Sequence, residues 1–243
     1  MQLHKLAHLK ISSGGRDLLV DQVKRWIAGG KCHTCIPLNI SKYVMARGDA
    51  KLAGAINGAD MVIADGIPIS WLAHRIGWSD VERVTGVELA EQLLSQAKTN
   101  GWRLYFLGAS PENLRTALSN IKQQYDNPII AGARDGFFQD ADVPDLIADI
   151  NAARPDILFL GLGLPQKEYF IADHFSEIDV RFCITVGGAI DIWAGAKKRA
   201  PVFVQKAGLE WLYRSVYDLS RAGLILRYGL SFMKDMIIPP GRD

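Results

Sequence analysis

Four short runs of this chain are apolar at every position: Met61-Val62-Ile63-Ala64, Leu104-Tyr105-Phe106-Leu107, Ile157-Leu158-Phe159-Leu160 and Phe182-Cys183-Ile184-Thr185-Val186, with Thr185 the one polar member. A strand with one wet face alternates apolar and polar residues, whereas a run without alternation is covered on both faces. Between these runs, residues 87–99, 111–125 and 143–153 repeat their apolar positions at helical spacing. The alternation of buried strand and amphipathic helix predicts an α/β fold, a doubly wound, mostly parallel Rossmann-like sheet. No internal repeat or low-complexity linker interrupts it.

In such a sheet, ligands collect beyond the carboxyl ends of the strands. The exits read Leu38-Asn39, Asp65-Gly66, Gly108-Ala109-Ser110-Pro111, Gly161-Leu162-Gly163-Leu164-Pro165 and Gly187-Gly188. Glycine at four of the five lets backbone approach a ligand closely. Ser110 suits a helix N-cap and Pro111 the first helical position, an arrangement that presents free N–H groups to a diphosphate and that also occurs in ordinary strand-to-helix turns. Gly161-Leu162-Gly163 lacks the third glycine of a dinucleotide fingerprint, Gln166 standing in its place, so a nicotinamide site is not expected. Asp65 closes a buried run, where a carboxylate is costly unless solvated or partnered. It reads either as a general base toward a sugar hydroxyl or as the cap of a helix starting near Pro68. Asp191, after Gly187-Gly188, carries the same ambiguity.

Charge changes the picture at the C-terminal end. Residues 197–243 hold nine Lys/Arg against four Asp/Glu, in a 243-residue chain whose total is only +2, so the first 196 residues are net acidic. Such asymmetry marks an anionic partner. Arg214 and Arg221 lie seven residues apart along a helix predicted from about Val202 to about Ser220, sharing a face from which two guanidinium forks can grip phosphate. The apolar positions from Leu224 to Ile238, set among Arg227 and Lys234, suit an interfacial helix on an anionic membrane, with docking on the core or on a second copy in a homo-oligomer as alternatives. We therefore expect a catalytic core over 1–196 and a basic helical appendage over 197–243.

The N-terminal residues show no leader pattern and no segment reaches ~18 uncharged apolar residues, so neither export nor a membrane span is expected. Cys32, Cys35 and Cys183 are too few for a disulfide framework and fit a reducing cytoplasm; Cys32-His33-Thr34-Cys35 runs on into the extended Ile36-Pro37-Leu38 and reads as strand, not as a redox or zinc motif. Asp140-Ala141-Asp142 has the spacing of a metal-holding carboxylate pair but follows no apolar strand, and Asp142 stands where a helix cap belongs. No metal and no cofactor are expected. The five histidines form no spaced cluster and there is no nucleophile elbow. Trp71 and Trp78 read as packing residues.

Taken in order, Ala64-Asp65-Gly66, Glu82-Arg83-Val84-Thr85-Gly86, Phe106-Leu107-Gly108, Gly161-Leu162-Gly163-Leu164-Pro165, Val186-Gly187-Gly188-Ala189-Ile190-Asp191, Lys198-Arg199-Ala200-Pro201 and Glu210-Trp211-Leu212-Tyr213-Arg214 resemble the WecG/TagA/CpsF family of bacterial glycosyltransferases. The resemblance implies an inverting, metal-independent transfer from a nucleotide-linked sugar, usually UDP-linked, to a polyprenyl-diphosphate-linked saccharide at the cytoplasmic face of the membrane. It makes Asp65 the catalytic base and Arg83, Arg214 and Arg221 the ligands of the donor diphosphate. Asn39, Gly108, Gly163, Pro165, Gln166, Glu168, Gly187, Gly188 and Asp191 then line the nucleotide-sugar site, and Arg227 and Lys234 contact phosphate or membrane. Two departures stand out. The family pattern Pro-Lys-Gln-Glu is replaced by Pro165-Gln166-Lys167-Glu168, and Glu-Pro-x-Arg by Asp218-Leu219-Ser220-Arg221.

The expected partners are a UDP-sugar, a polyprenyl-diphosphate acceptor and the cytoplasmic membrane surface, with no nucleic acid. Two rivals remain at this stage: a soluble enzyme that modifies sugar nucleotides, and a non-enzymatic nucleotide-binding protein at the membrane. N-acetylmannosamine, its uronic acid, glucose and glucuronic acid all remain open as the sugar.

Overall fold

A computed structural model of the chain describes residues 1–198, 200–201, 204, 213 and 222–239. The strands β3 (His33–Leu38), β4 (Met61–Ala64), β5 (Arg103–Gly108), β6 (Ile129–Arg134), β7 (Ile157–Gly161) and β8 (Phe182–Thr185) form a six-stranded, all-parallel sheet in the order β4-β3-β8-β7-β5-β6. Three of the four predicted apolar runs are its inner strands β5, β7 and β8, and the fourth, Met61–Ala64, is the edge strand β4. An N-terminal hairpin, β1 (Leu3–Leu6) and β2 (Leu9–Ser12), lies beside β4, where Ser12 Oγ accepts a hydrogen bond from Val62 N at 2.9 Å. An otherwise open sheet edge is thereby covered.

Helices cover both faces, which is why the inner strands need no polar positions. On one face lie α2 (Ile40–Met45), α3 (Ala50–Gly58), α4 (Ile67–Arg75), α7 (Val143–Ala153) and α8 (Gln166–His174), whose buried side chains pack with Ile36, Leu38, Val62, Leu158 and Leu160. On the other lie α1 (Arg16–Gly29), α5 (Gly86–Asn100), α6 (Pro111–Gln124) and α9 (Ala189–Trp193), packed on Cys35, Ile63, Phe106, Phe159 and Ile184. The neighbours β3 and β8 send their following helices, α2 and α9, to opposite faces. The connections diverge there and leave a crevice at the carboxyl edge, the position where ligands of open α/β sheets bind.

The Cys32-to-Cys35 motif is strand, as expected: Cys35 is buried inside β3 while Cys32 precedes it and is exposed. Burial pushes the Cys35 and Cys183 thiols well above their ordinary value, the opposite of a reactive thiolate. Asp142 stands at the N-cap of α7, as expected, but makes no side-chain cap bond there: its carboxylate turns back to accept from Gln139 N at 2.8 Å, closing a 3-10 turn over Asp140–Asp142. Trp78 packs as expected, stacked on His4 with its Nε1 donating to Lys5 O, whereas Trp71 is half exposed on α4.

The described part of the C-terminal region is α10 (Ala222–Ile237). It docks on α2: Phe232, 3% exposed, meets the Tyr43 ring edge-on at 5.5 Å, and Arg47 pairs with Asp235 while lying 5.0 Å above the Tyr43 ring. The opposite side carries Leu226, Leu230, Met233 and Ile237, exposed and successive at helical spacing, flanked by exposed Arg227 and Lys234. Of the sequence alternatives, docking on the core is thus found for one face of the helix, while the other face is exposed. Among the described residues, no helix is long and apolar enough to cross a membrane.

Candidate active site

The exits of β3, β4, β5, β7 and β8 lie along the carboxyl edge of the sheet. At the end of β4, Asp65 N donates to Leu38 O at 2.9 Å, and its carboxylate accepts from Gly86 N at 3.3 Å. It does not cap α4, whose N-cap is Gly66 with no side-chain bond, so the capping reading of Asp65 is set aside. Arg83 sits beside it: Ala64 and Arg83 form an isolated parallel bridge, with Val84 N donating to Ala64 O at 3.1 Å. The Arg83 fork is held by both Glu88 oxygens, at 3.1 and 3.0 Å, and Glu88 also closes a capping box with Thr85 at the start of α5. A bidentate pair fixes the guanidinium plane, so Arg83 is oriented by its own helix terminus. Gly86 leaves no room for a side chain, since an added methyl would stand 2.7 Å from Pro37 Cγ.

Beneath Asp65 lies a cluster that the sequence did not disclose. Lys42, one turn into α2, donates through Nζ to Pro37 O at 2.7 Å and stands 2.8 Å from Glu168 Oε1. Lys167 Nζ stands 3.3 Å from the other oxygen, Glu168 Oε2. All three side chains are buried, Glu168 completely. Both contacts to Glu168 are ion pairs by distance without hydrogen-bond geometry, so its oxygens are neutralised by charge more than by directed bonds. Burial, reinforced by the Lys42 cation, pushes Lys167 down to about 8 from its ordinary 10.5, against the pull of Glu168 and Asp65. Lys167 also reaches the β8 exit: a methyl added at Gly187 would lie 3.8 Å from its Cε. A helical lysine reads as a solvated residue from sequence, and the usable signal was the flanking of Lys42 by Ile40 and Tyr43, both buried.

The remaining exits are built from backbone. Ser110 caps α6 by accepting from Asn113 N at 3.2 Å with Pro111 in the first turn, as its sequence predicts. Gly108 has φ +133 and packs directly on Gly161, and Gly161 in turn faces the Gly187 carbonyl. Asp191 is tied across the crevice wall, accepting from Asn113 Nδ2 at 2.9 Å and pairing with Lys197 at 2.5 Å. Gly163, Gln166 and Gly188 are exposed at the rim, and the Leu164–Pro165 peptide bond is cis. Asn39 is occupied in capping α2, accepting from Lys42 N at 3.1 Å. Asp65, Arg83, Glu168 and Gly187 are therefore brought together, Gly108 and Asp191 flank them, and Arg214 and Arg221 lie outside the described residues. Among the described residues no group of three or more His, Cys, Asp or Glu is placed to hold a metal ion.

The sequence model of the glycosyl transferase WecG/TagA/CpsF family matches residues 4–237. Proteins of Staphylococcus aureus strains NCTC 8325 and COL, each named N-acetylglucosaminyldiphosphoundecaprenol N-acetyl-beta-D-mannosaminyltransferase, are 33% identical over 168 residues, covering 69% of this chain and 65% of theirs. The chain thus matches just under two thirds of the length of these curated relatives.

Proposed function

The chain belongs to the glycosyl transferase WecG/TagA/CpsF family, and on that premise we propose that it transfers a sugar from a UDP-sugar to a polyprenyl-diphosphate-linked saccharide in the assembly of a bacterial surface polysaccharide. The observation that carries this reading is a carboxylate, Asp65, at the mouth of the β3/β8 crevice with Arg83 beside it and two buried lysines below. In the proposed step Asp65 takes the proton of the acceptor hydroxyl as its oxygen attacks the anomeric carbon. The bond to the donor diphosphate breaks, UDP departs and the configuration inverts.

The leaving diphosphate gains charge, and a fixed cation near it is worth most in a site shielded from water. In this reading Arg83, supplied with its orientation by Glu88, shares that task with Arg214 and Arg221, and no divalent metal is required. The glycine exits at Gly108, Gly163, Gly187 and Gly188, with Asn39, Pro165, Gln166, Glu168 and Asp191, form the nucleotide-sugar pocket. The appendage over 197–243 brings the core, 1–196, to the cytoplasmic membrane surface. The exposed stripe of α10 between Arg227 and Lys234 supports that role, because a basic amphipathic face suits an anionic interface.

The test is a transfer assay with a panel of UDP-sugars and a detergent-dispersed GlcNAc-diphosphopolyprenol acceptor, read by mass spectrometry of the lipid. Glycosylated lipid separates a transferase from a sugar-nucleotide-modifying enzyme and from a binding protein. Asp65→Asn is expected to cut turnover by ~10²–10⁴-fold while UDP binding persists, and turnover within threefold of wild type removes Asp65 from the role of base. A strong chelator is expected to leave the rate unchanged; loss restored by Mg²⁺ or Mn²⁺ overturns the metal-independent reading.

A further inference from the structure

Two buried ammonium groups, Lys42 and Lys167, share one buried carboxylate, Glu168. With all three ionised the cluster keeps one positive charge that no group within it cancels. A charge enclosed at that depth is costly unless a further anion answers it. The surroundings narrow which anion that is. Lys42 Nζ is bound to Pro37 O, and the next carbonyl of β3, Leu38 O, receives Asp65 N. Gly86, which donates to the Asp65 carboxylate, packs on Pro37 and faces Thr185 O, while Lys167 lies along Gly187 just past the end of β8. The cluster and the carboxylate therefore occupy the same ends of β3, β4 and β8. Of the described cations nearby, Arg83 is paired with Glu88 and Lys197 with Asp191.

We propose that Lys167 is a positioning residue for Asp65, supplying the surplus positive charge that keeps the Asp65 carboxylate ionised and ready to accept the proton of the attacking hydroxyl. The proposal rests on the reading of Asp65 as the base. Lys42 alone suffices to neutralise Glu168, so the second ammonium serves the crevice. A cation beside a carboxylate favours its charged form, and the effect is reciprocal, since Asp65 favours the charged form of Lys167. Among the described residues, the charged groups that face Lys167 are Lys42 from α2, Glu168 from its own helix and Asp65 from the end of β4.

The experiment is the pH dependence of kcat for transfer by the full chain, from about pH 3, below the ordinary aspartate value, to pH 9, in wild type, Lys167→Gln, Lys167→Arg and Asp65→Asn. Lys167→Gln leaves the Lys42–Glu168 pair in place. It is expected to move the acid-side midpoint upward by about one unit, a roughly tenfold loss below both midpoints that recovers at higher pH, with KM for the donor within about twofold of wild type on the same reasoning. Lys167→Arg is expected to hold the wild-type midpoint. A loss by one constant factor at every pH, or an unmoved midpoint, overturns the proposal. If Lys167→Gln does not fold, carbon-13 titration of aspartate carboxyls in wild type, with Asp65→Asn for assignment, replaces it. An Asp65 midpoint above the ordinary aspartate value of about 3.9 then overturns the proposal, and one below it supports the proposal. An active Asp65→Asn defeats the base assignment itself, whereas an inactive Asp65→Asn with an unmoved Lys167→Gln midpoint defeats only the role of Lys167.

Discussion

Gly108 offers a quantitative test of how tightly the crevice is built. It ends β5 at φ +133, a conformation that side chains other than hydrogen rarely adopt, and a methyl there would stand 2.5 Å from both the carbonyl carbon and oxygen of Gly161 at the end of β7. Backbone is on the receiving side of that clash, so the relief must come from separating two hydrogen-bonded strand ends. Gly108→Ala therefore incurs backbone strain of about 1–3 kcal/mol and overpacking of about 1–3 kcal/mol. The reduced entropy of the unfolded chain returns about 0.4–1 kcal/mol, leaving a net loss of roughly 3 kcal/mol. Gly101 is the matched control: its φ is +66, but an added methyl meets nothing within 4 Å. Gly101→Ala should cost only about 1 kcal/mol after the same offset. Urea unfolding followed by tryptophan fluorescence measures both, and UDP affinity measured alongside should fall in Gly108→Ala alone. Equal losses in the two variants, or a Gly108→Ala loss under about 0.5 kcal/mol, would refute the claim that the β5 and β7 exits are in obligate contact.

Phe232→Ala should loosen α10 from Tyr43 and cost up to about 3 kcal/mol, with faster proteolysis confined to the C-terminal region; unchanged proteolysis would mean that the packing on α2 does not hold the helix. Lys167 predicts a pH signature in stability. Its folded value, about 8, lies below the unfolded 10.5, so the unfolded chain binds the extra proton between those limits and stability gains as pH rises through that window, by up to about 3 kcal/mol. Measured against Lys167→Gln, a flat difference from pH 8 to 10.5 counts against the buried-ammonium assignment. Arg214→Ala and Arg221→Ala should each lower turnover at least tenfold, a loss of about 1.4 kcal/mol in transition-state stabilisation, without releasing the protein from anionic vesicles; release with normal turnover would make these arginines adhesive instead.

The inner strands were legible because coverage on both faces leaves an unmistakable apolar record, as at Ile157–Gly161. β6 was not, since Ile129–Arg134 is an edge strand with no fully buried residue. The β1–β2 hairpin was missed for a related reason: four-residue strands carrying His4, Lys5 and Lys10 show too little apolar pattern to stand out. Asp65 announced itself as a charge closing an apolar run, and Ser110-Pro111 as a cap. Lys42 and Lys167 did not, because each belongs to a helix and only the tertiary fold turns them inward to one glutamate. The tail was legible as amphipathic, but which side faced the core depended on Tyr43, a residue 189 positions before Phe232 in the sequence.

Helix α2 has only six residues, yet it faces two ways. Lys42 points to Glu168 and the strand ends, while its neighbour Tyr43 and nearby Arg47 seat α10. A short helix moves as one body, so an arrangement of α2 that alters the seat of α10 also alters the Lys42 contact. In the language of thermodynamic linkage, a surface that engages α10 and a ligand in the crevice then act on a common element. Whatever factor one contributes to the affinity of the other must be returned in equal measure.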